Sequence, residues 1–310
     1  MIYVQNEKEK ISKIALGTAD FGTTVSEKDA FLLLDGFIEN GGTAVDTARA
    51  YSYWIEGGEN ASETTIGNYF KATGKRHKVF LSTKGGHPPI PHFEISRINK
   101  EELTKDIDES LHFLNTDYLD VFYLHRDDEN KPVGEIMEIL DGFVKAGKTR
   151  YIGASNWKKE RVSEANQYAK ERHLTPFTFS QVMWAYARMN EKTMPDKTQV
   201  VMNDGEHAFY NEHKEIQVMA YSSQAQGFFS LVEKSGLDGL PEMHKMRYLT
   251  KENVDKIPVV FDTAKRFSIS PTAAGLALLL ADEVNPIALV GGQTLAFLED
   301  SFNALRYFQK

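Results

Sequence analysis

Four side chains of this 310-residue chain belong to types that can polarise a carbonyl group and hand it a proton: Asp46, Tyr51, Lys84 and His125. When hydride reaches a carbonyl carbon, negative charge develops on the oxygen, so a positioned acid and nearby dipoles lower the barrier. Each residue lies at or shortly after the end of a β-like run, at residues 43–45, 79–83 and 119–124. In parallel α/β proteins, active sites are built at the C-terminal ends of the strands, so this placement favours an enzyme.

Eight short runs rich in β-branched or aromatic residues alternate with longer amphipathic stretches. These strand candidates are residues 13–18, 43–46, 79–84, 119–125, 149–154, 177–181, 217–221 and 287–290. The intervening stretches carry helix-capping signals at Ser26, Gly74, Asn99, Gly147 and Ser270. The alternation predicts an α/β protein with a (β/α)8 TIM barrel, and a doubly wound open sheet is the alternative.

No linker divides the sequence, so we expect a single (β/α)8 barrel domain over residues 1–310. Residues 1–12 precede the first predicted barrel strand. A polar stretch at about 185–205 is expected to form a long, mobile loop near the site.

Composition narrows the class of protein. Thirty-six basic and 44 acidic residues give a net charge of −8, which argues against nucleic-acid and anionic-membrane binding. The chain has no cysteine, so thiolate chemistry and cysteine-ligated metals are excluded, and no metal site is predicted. The first residues lack the apolar core of a signal peptide, and the longest apolar stretch, 273–281, is too short to span a bilayer. We expect a soluble, cytoplasmic protein; the sequence does not indicate its oligomeric state.

The order and spacing of six segments resemble the aldo-keto reductase superfamily. These segments are residues 41–51, 82–84, 117–125, 153–157, 220–223 and 290–300, and the resemblance runs from about residue 14 to 305. It implies a (β/α)8 barrel that binds a nicotinamide dinucleotide extended across the strand ends and reversibly reduces an aldehyde or ketone to an alcohol. A small-molecule carbonyl or alcohol is therefore the expected partner.

The resemblance also assigns roles to the four acid–base residues. Tyr51 matches the family's proton donor, and Lys84 beside it is expected to bring the tyrosine pKa down from about 10 toward the working range. Asp46 would hold Lys84 by an ion pair. His125 would hydrogen-bond the carbonyl oxygen and orient the substrate.

No Gly-x-Gly-x-x-Gly motif is present, so a Rossmann-type cofactor turn is not supported. The resemblance implies that amide and hydroxyl side chains bind the nicotinamide carboxamide, that Tyr221 stacks on the ring, and that two later segments bind the phosphates. The full predicted cofactor set is Thr18, Asp46, Ser155, Asn156, Gln181, Tyr221, Ser222, Gln224, Gln226, Gly291, Gln293, Thr294 and Asp300.

The adenosine end departs from the family pattern. Relatives selective for NADPH usually carry Lys or Arg after the eighth strand to bind the 2′-phosphate, whereas residues 287–305 contain neither. Family frequency favours NADPH as the cofactor, and NADH is the alternative.

Aromatic and basic residues after the strand ends are candidates for the substrate pocket: Phe21, Tyr53, Trp54, His87, Arg126, Trp157 and Trp184. Arg126 would pair with a substrate carboxylate or phosphate unless the acidic residues 127–129 neutralise it.

The sequence leaves three other functions open. A lysine-dependent aldolase would use Lys84 as a Schiff base. A metal-dependent barrel hydrolase is disfavoured because residues 17–20 lack a His-x-His pair. A non-catalytic, cofactor-sensing subunit would keep the same four residues.

Overall fold

Eight parallel strands close into a barrel in the computed structural model, which describes residues 3–6, 9–194 and 196–309. A two-stranded antiparallel hairpin, β1 (Tyr3–Asn6) and β2 (Glu9–Ser12), precedes it. The barrel strands are β3 (Ile14–Gly17), β4 (Ala44–Asp46), β5 (Phe80–Gly85), β6 (Leu119–Leu124), β7 (Thr149–Ser155), β8 (Phe177–Met183), β9 (Gln217–Tyr221) and β10 (Ile287–Gly291). β10 pairs with both β3 and β9, so the (β/α)8 prediction is confirmed and the open sheet is excluded.

Helices surround this barrel. They are α1 (Glu27–Glu39), α2 (Ala61–Thr73), α3 (Lys100–Phe113), α4 (Val133–Lys145), α5 (Lys159–Arg172), α6 (Asp204–Glu212), α7 (Phe228–Ser235), α8 (Glu242–Tyr248), α9 (Lys251–Phe267), α10 (Pro271–Leu280) and α11 (Leu295–Asn303). Short 3₁₀ helices occupy Lys75–Lys78, Glu191–Thr193, Ala225–Gly227 and Ala304–Phe308. In the part of the chain that the structure describes, no helix is long and apolar enough to cross a membrane.

The predicted caps begin and end several of these helices. Ser26, Asn99 and Ser270 each accept a hydrogen bond from a backbone N–H in the first turn of α1, α3 and α10. Gly74 and Gly147 follow α2 and α4 with φ of 66° and 73°, a conformation that costs glycine little.

Large aromatic side chains fill the barrel interior below the site. The ring of Phe179 lies 5.7 Å from that of Phe80 and 6.4 Å from that of Tyr123, and all three are buried. Every residue of β4, β5 and β6 is buried because the helices cover their outer faces. Charged residues at the C-terminal ends of these strands are therefore held away from bulk water.

The two segments outside the βα repeats attach to opposite ends of the strands. The N-terminal hairpin contacts the start of β4, where the Ser12 N–H donates to the Thr43 hydroxyl (2.9 Å) and the Thr43 N–H donates to the Ser12 hydroxyl (3.0 Å). The long polar loop after β8 returns to the barrel through a bridge between Met183 and Val201. Its predicted mobility stays a prediction.

Candidate active site

The four acid–base residues meet at the C-terminal mouth of the barrel. Asp46 ends β4, Lys84 lies in β5, His125 directly follows β6, and Tyr51 is in the loop after β4. Lys84 Nζ is 2.5 Å from Asp46 Oδ2 and 2.9 Å from the Tyr51 hydroxyl oxygen. The rings of Tyr51 and His125 are 6.0 Å apart and nearly perpendicular. The barrel thus brings together side chains that are up to 79 positions apart, from Asp46 to His125, in the sequence.

The ammonium group of Lys84 is fully bonded within the protein. It donates to Asp46, to the Tyr51 hydroxyl and to the carbonyl oxygen of Thr47 (2.8 Å). An ammonium has three N–H donors, so this geometry uses all of them. Lys84 is 1% exposed, and its side chain is fixed in both position and direction.

Asp46 is the centre of the hydrogen-bond network. Its Oδ1 accepts from the Ser82 hydroxyl (2.7 Å) and from Gln181 Nε2 (3.0 Å), while its Oδ2 faces Lys84 and Tyr51. Buried carboxylates need such donors to remain ionised. Gln181, predicted to contact the cofactor, therefore also hydrogen-bonds the buried ion pair of Asp46 and Lys84.

The electrostatics of Tyr51 differ from the sequence-based expectation. Burial raises the pKa of Tyr51 well above 10, and the charge of Asp46 and the 3.4 Å hydrogen bond to it raise it further. The expected lowering of the Tyr51 pKa was wrong for this arrangement, because burial is the largest effect and Asp46 acts in the same direction. Burial also lowers the pKa of Lys84, although Asp46 opposes that shift.

His125 is neutral in this environment. Burial lowers its pKa well below 6.5, and the nearby His87, Arg126 and Lys84 lower it further. Its Nδ1 is buried without a hydrogen-bond partner among the residues that the structure describes. A neutral imidazole carries its proton on one ring nitrogen, and the tautomer protonated at Nε2 can act as a hydrogen-bond donor.

The residues predicted to bind a carboxamide form one connected group. Asn156 Nδ2 donates to the Ser155 hydroxyl (3.1 Å) and to the His125 carbonyl (3.3 Å). Asn156 Oδ1 accepts from the Tyr221 hydroxyl (2.7 Å) and from the Val200 N–H (3.1 Å). The Asn156 amide is thus engaged at every position, and a carboxamide bound here would exchange with one of these partners.

A cavity of about 150 Å³ joins the catalytic and predicted cofactor residues. Asp46, Tyr51, Tyr221 and Ser222 line it together with the residues Gly17–Phe21 and Leu289–Gly292. A Cβ added to Gly291 would meet nothing within 4 Å, so the wall is open there. Aromatic, hydroxyl and backbone groups in one cleft beside Tyr51 fit a nicotinamide and the start of its pyrophosphate. Thr18 lines the cleft, but its hydroxyl donates to the Asp46 carbonyl oxygen.

Of the residues predicted to bind the phosphates and the adenosine, Ser222 and Gly291 line that cavity, whereas Gln224, Gln226, Gln293, Thr294 and Asp300 are not part of its lining. Gln224 donates to Ser301, Gln226 accepts from Arg247 (3.4 Å), and Asp300 accepts from Ser270 (2.7 Å). Two others flank the start of α11, where Thr294 is the N-cap and Gln293 Nε2 is 3.4 Å from Asp20. The structure ties Asp300 to the cap of α10 and gives no support for a direct cofactor contact.

Arg126 is paired, but not with the acidic run that follows it. Its Nη2 contacts Asp196 (2.9 Å) and its Nε donates to Thr198 (2.9 Å), both in the long loop after β8. Asp127 instead pairs with Arg161. Of the two alternatives that the sequence left open, neutralisation by residues 127–129 is not observed, since a distant loop supplies the counter-ion. Arg126 does line a second mouth cavity, of about 300 Å³.

The aromatic substrate candidates separate into three groups. Phe21 lines the cavity beside Tyr51. Tyr53 and Trp54 are 38% and 55% exposed on the loop after Tyr51, and Trp184 is half-buried with its ring edge-on to His207. Trp157 is fully buried and donates to the Arg126 carbonyl, so its assignment to an open pocket wall was wrong.

A buried network behind the site was missed by sequence reasoning. Glu63, with no exposed surface, accepts from the Thr83 hydroxyl (2.7 Å) and pairs with Arg49 (3.2 Å), which also contacts Glu109. Burial raises the pKa of Glu63. This network supports β5 next to Lys84. A buried glutamate in the first turn of a helix gives no distinctive pattern in sequence.

Comparison with known proteins identifies the family. The model of the aldo/keto reductase family matches residues 13–309, and the chain belongs to that family. It is therefore an NAD(P)(H)-dependent oxidoreductase that acts on carbonyl and alcohol groups. Within the described ranges, no group of three or more His, Asp or Glu side chains is arranged to hold a metal ion.

Individual relatives are distant. The chain is 27% identical to an aryl-alcohol dehydrogenase of Pestalotiopsis microspora and 27% identical to norsolorinic acid reductase B of Dothistroma septosporum. Both matches cover 96% of this chain and 75% of the relative. It is 30% identical to an NADP(+) aldo-keto reductase, yakc, of Schizosaccharomyces pombe, over 80% of this chain and 71% of that protein.

Proposed function

We propose that the protein reduces an aldehyde or ketone to an alcohol with NADPH, and that Tyr51 donates the proton. The observation that carries the proposal is the contact of Lys84 Nζ with both the Tyr51 hydroxyl and Asp46 at the barrel mouth. A hydroxyl that accepts a hydrogen bond from a fixed ammonium is prepared to release its own proton. The cleft beside it has room for a nicotinamide.

NADPH supplies the hydride when bound; the side chains of this protein handle the charge and the proton. His125 donates from Nε2 to the substrate carbonyl oxygen and orients it toward Tyr51. As charge builds on that oxygen, Tyr51 transfers its proton, and the phenolate that remains accepts from Lys84. Asp46 keeps Lys84 in place and balances its charge in a region without bulk water.

The raised pKa of Tyr51 is consistent with this role. A hydroxyl with a pKa well above 10 stays protonated throughout the neutral range, so the donor is always loaded. Transfer becomes favourable only when a basic alkoxide develops next to it. The preceding prediction of a lowered tyrosine pKa is therefore not required by the mechanism.

Tyr51→Phe tests the assignment. The variant should lower kcat for carbonyl reduction by about 10²–10⁴-fold, the usual contribution of a positioned acid. The dissociation constant of NADPH, measured by fluorescence, should stay within a few-fold of the wild type. Tyr168→Phe, which removes a hydroxyl bonded to Glu138 on the protein surface, is the matched control and should have wild-type turnover. Near-normal turnover in Tyr51→Phe would remove Tyr51 from the acid role.

NADPH is proposed over NADH on two grounds. One similar protein carries NADP(+) in its name, and Arg247 places a guanidinium 3.4 Å from Gln226 in the predicted phosphate-binding segment. Arg247 lies on α8, whereas the segment after β10 contains no Lys or Arg. Steady-state kinetics with both reduced cofactors decide the preference; a higher kcat/KM with NADH would overturn this choice.

The structure weighs against a lysine-dependent aldolase. Schiff-base chemistry needs a neutral amine with free access to the substrate. Lys84 instead makes three hydrogen bonds and is ion-paired to Asp46. Borohydride treatment with a carbonyl substrate and no cofactor should leave the protein unmodified.

A further inference from the structure

A second histidine lies against the catalytic one. The ring of His87, two residues beyond the end of β5, is 4.7 Å from that of His125 and inclined to it by 71°. On its other side, His87 contacts Phe93 at 6.1 Å, and His125 in turn contacts Tyr51 at 6.0 Å. Four rings in edge-on contact therefore run from the partly exposed Phe93 to the proposed proton donor.

His87 is held at both its ring and its backbone. Its Nδ1 is 2.7 Å from the carbonyl oxygen of Pro88, and because a carbonyl only accepts, Nδ1 carries the proton. Its own carbonyl accepts from Arg97 (3.3 Å), and Arg97 pairs with Asp106 on α3. Burial lowers the pKa of His87 to about 4, with Arg126 contributing, so the ring is neutral at working pH.

His125 has no comparable tether. Its Nδ1 is buried and accepts no hydrogen bond in the described part of the chain. Most functional histidines are oriented by a partner on the second ring nitrogen. Among the described residues, the rings of His87 and Tyr51 pack edge-on against the imidazole. The orientation of the His125 ring is therefore set by this packing.

We propose that His87 is a positioning residue, whose fixed ring holds the imidazole of His125 toward the substrate carbonyl and keeps water away from it. The proposal rests on the role of His125 in the proposed reduction. It extends that mechanism to a residue that does not touch the reacting atoms. The Arg97 contact to the His87 carbonyl links this positioning to α3.

Removing the ring should alter His125 in a measurable way. Burial is the main reason that the pKa of His125 is low, and the neighbouring His87, Arg126 and Lys84 lower it further. In His87→Ala, water entering the vacated space would raise that pKa toward 6.5. His87→Phe keeps an edge-on ring and should keep His125 dry.

The experiment compares wild type, His87→Ala and His87→Phe over pH 5–8. We expect His87→Ala to lose about tenfold or more in kcat, since small misplacements of a catalytic group are costly, and to gain an acidic fall in kcat/KM near pH 6. His87→Phe should keep kcat within about threefold of wild type and should show no such fall in kcat/KM at acidic pH. The affinity for NADPH should be unchanged in both variants. Wild-type kcat in folded His87→Ala would overturn the proposal, as would equal losses in His87→Ala and His87→Phe.

An NMR titration of the His125 imidazole, assigned with His125→Gln, does not depend on turnover. If the wild type shows no carbonyl reduction, the proposed function fails, yet a rise in the His125 pKa in His87→Ala would still support the positioning contact. An unchanged titration would overturn it. His87→Asn, which also removes the ring, replaces the alanine variant if that one does not fold.

Discussion

Lys84→Met tests whether the buried ion pair stabilises the barrel mouth as well as the reaction. Asp46 and Lys84 are each 1% exposed and their charged atoms are 2.5 Å apart. The substitution leaves a buried carboxylate with two neutral donors, Ser82 and Gln181, and the weakly bonded Tyr51. Removing one partner of a buried pair costs about 3–5 kcal/mol, because the remaining charge is uncompensated.

The double variant Asp46→Asn/Lys84→Met separates stability from chemistry. It removes both charges and leaves an amide that can still accept from Ser82. We expect it to recover most of the stability lost in Lys84→Met, with a coupling energy of about 2 kcal/mol or more. Carbonyl turnover should be lost in both variants, since neither has an ammonium to stabilise the phenolate of Tyr51.

Urea unfolding followed by tryptophan fluorescence measures these differences at pH 7. Lys251→Met is the control, because Lys251 and its partner Asp255 are 88% and 60% exposed, and an ion pair at the surface contributes only about 0.2–1 kcal/mol. Two results would refute the reasoning: a Lys84→Met protein as stable as Lys251→Met, or a double variant no more stable than Lys84→Met.

Two further predictions concern charges on the long loop and at its base. Burial raises the pKa of Glu206 from 4.5 to about 7, so this carboxyl favours the folded state when protonated, and that stability is lost as pH rises from 4.5 through 7. Glu206→Gln keeps an acceptor for the Lys159 N–H, which is 3.0 Å from Glu206. In urea unfolding, the variant should be more stable than wild type by up to about 3 kcal/mol at pH 8, with a much smaller gain at pH 5. A stability difference that does not change with pH would contradict this prediction. Asp196→Asn removes the charged partner of Arg126, and we expect this ion pair to restrain the long loop. The variant should be cleaved faster between residues 190 and 203 in limited proteolysis, with no change in NADPH affinity. Equal cleavage rates in variant and wild type would contradict this role of the pair.

The eight barrel strands were predictable because burial on both faces requires continuous apolar or β-branched runs. Each predicted strand overlaps an observed one, and the largest error was at β8, which extends to Met183. The N-terminal hairpin was not predicted as strands. Its four-residue strands carry several polar side chains, and its contact with the barrel depends on hydroxyl bonds between Ser12 and Thr43 that leave no periodic pattern.

The site was predictable in residue type but not in electrostatics. Strand ends indicated where Asp46 and Lys84 would lie, and the family resemblance related them to Tyr51. Whether the pKa of Tyr51 is raised or lowered depends on the balance between nearby charges and the loss of water, and this balance can be evaluated only from three-dimensional distances. The counter-ion of Arg126 could likewise not be identified from the sequence, because Asp196 is 70 positions away.

The pairing of charges explains the chemical character of the mouth. Lys84 is matched by Asp46 and Arg126 by Asp196, each within 3 Å, while His125 and Tyr51 stay uncharged. In the proposed mechanism, an incoming carbonyl would meet two neutral donors, Tyr51 and His125, with the charged groups behind them. Neutral donors favour the developing alkoxide over the uncharged substrate only if water is kept out, because water would offer the same hydrogen bonds to both. On that proposal, His87 and the loop that carries Asp196 would help the site to distinguish the transition state from the substrate by limiting the access of water.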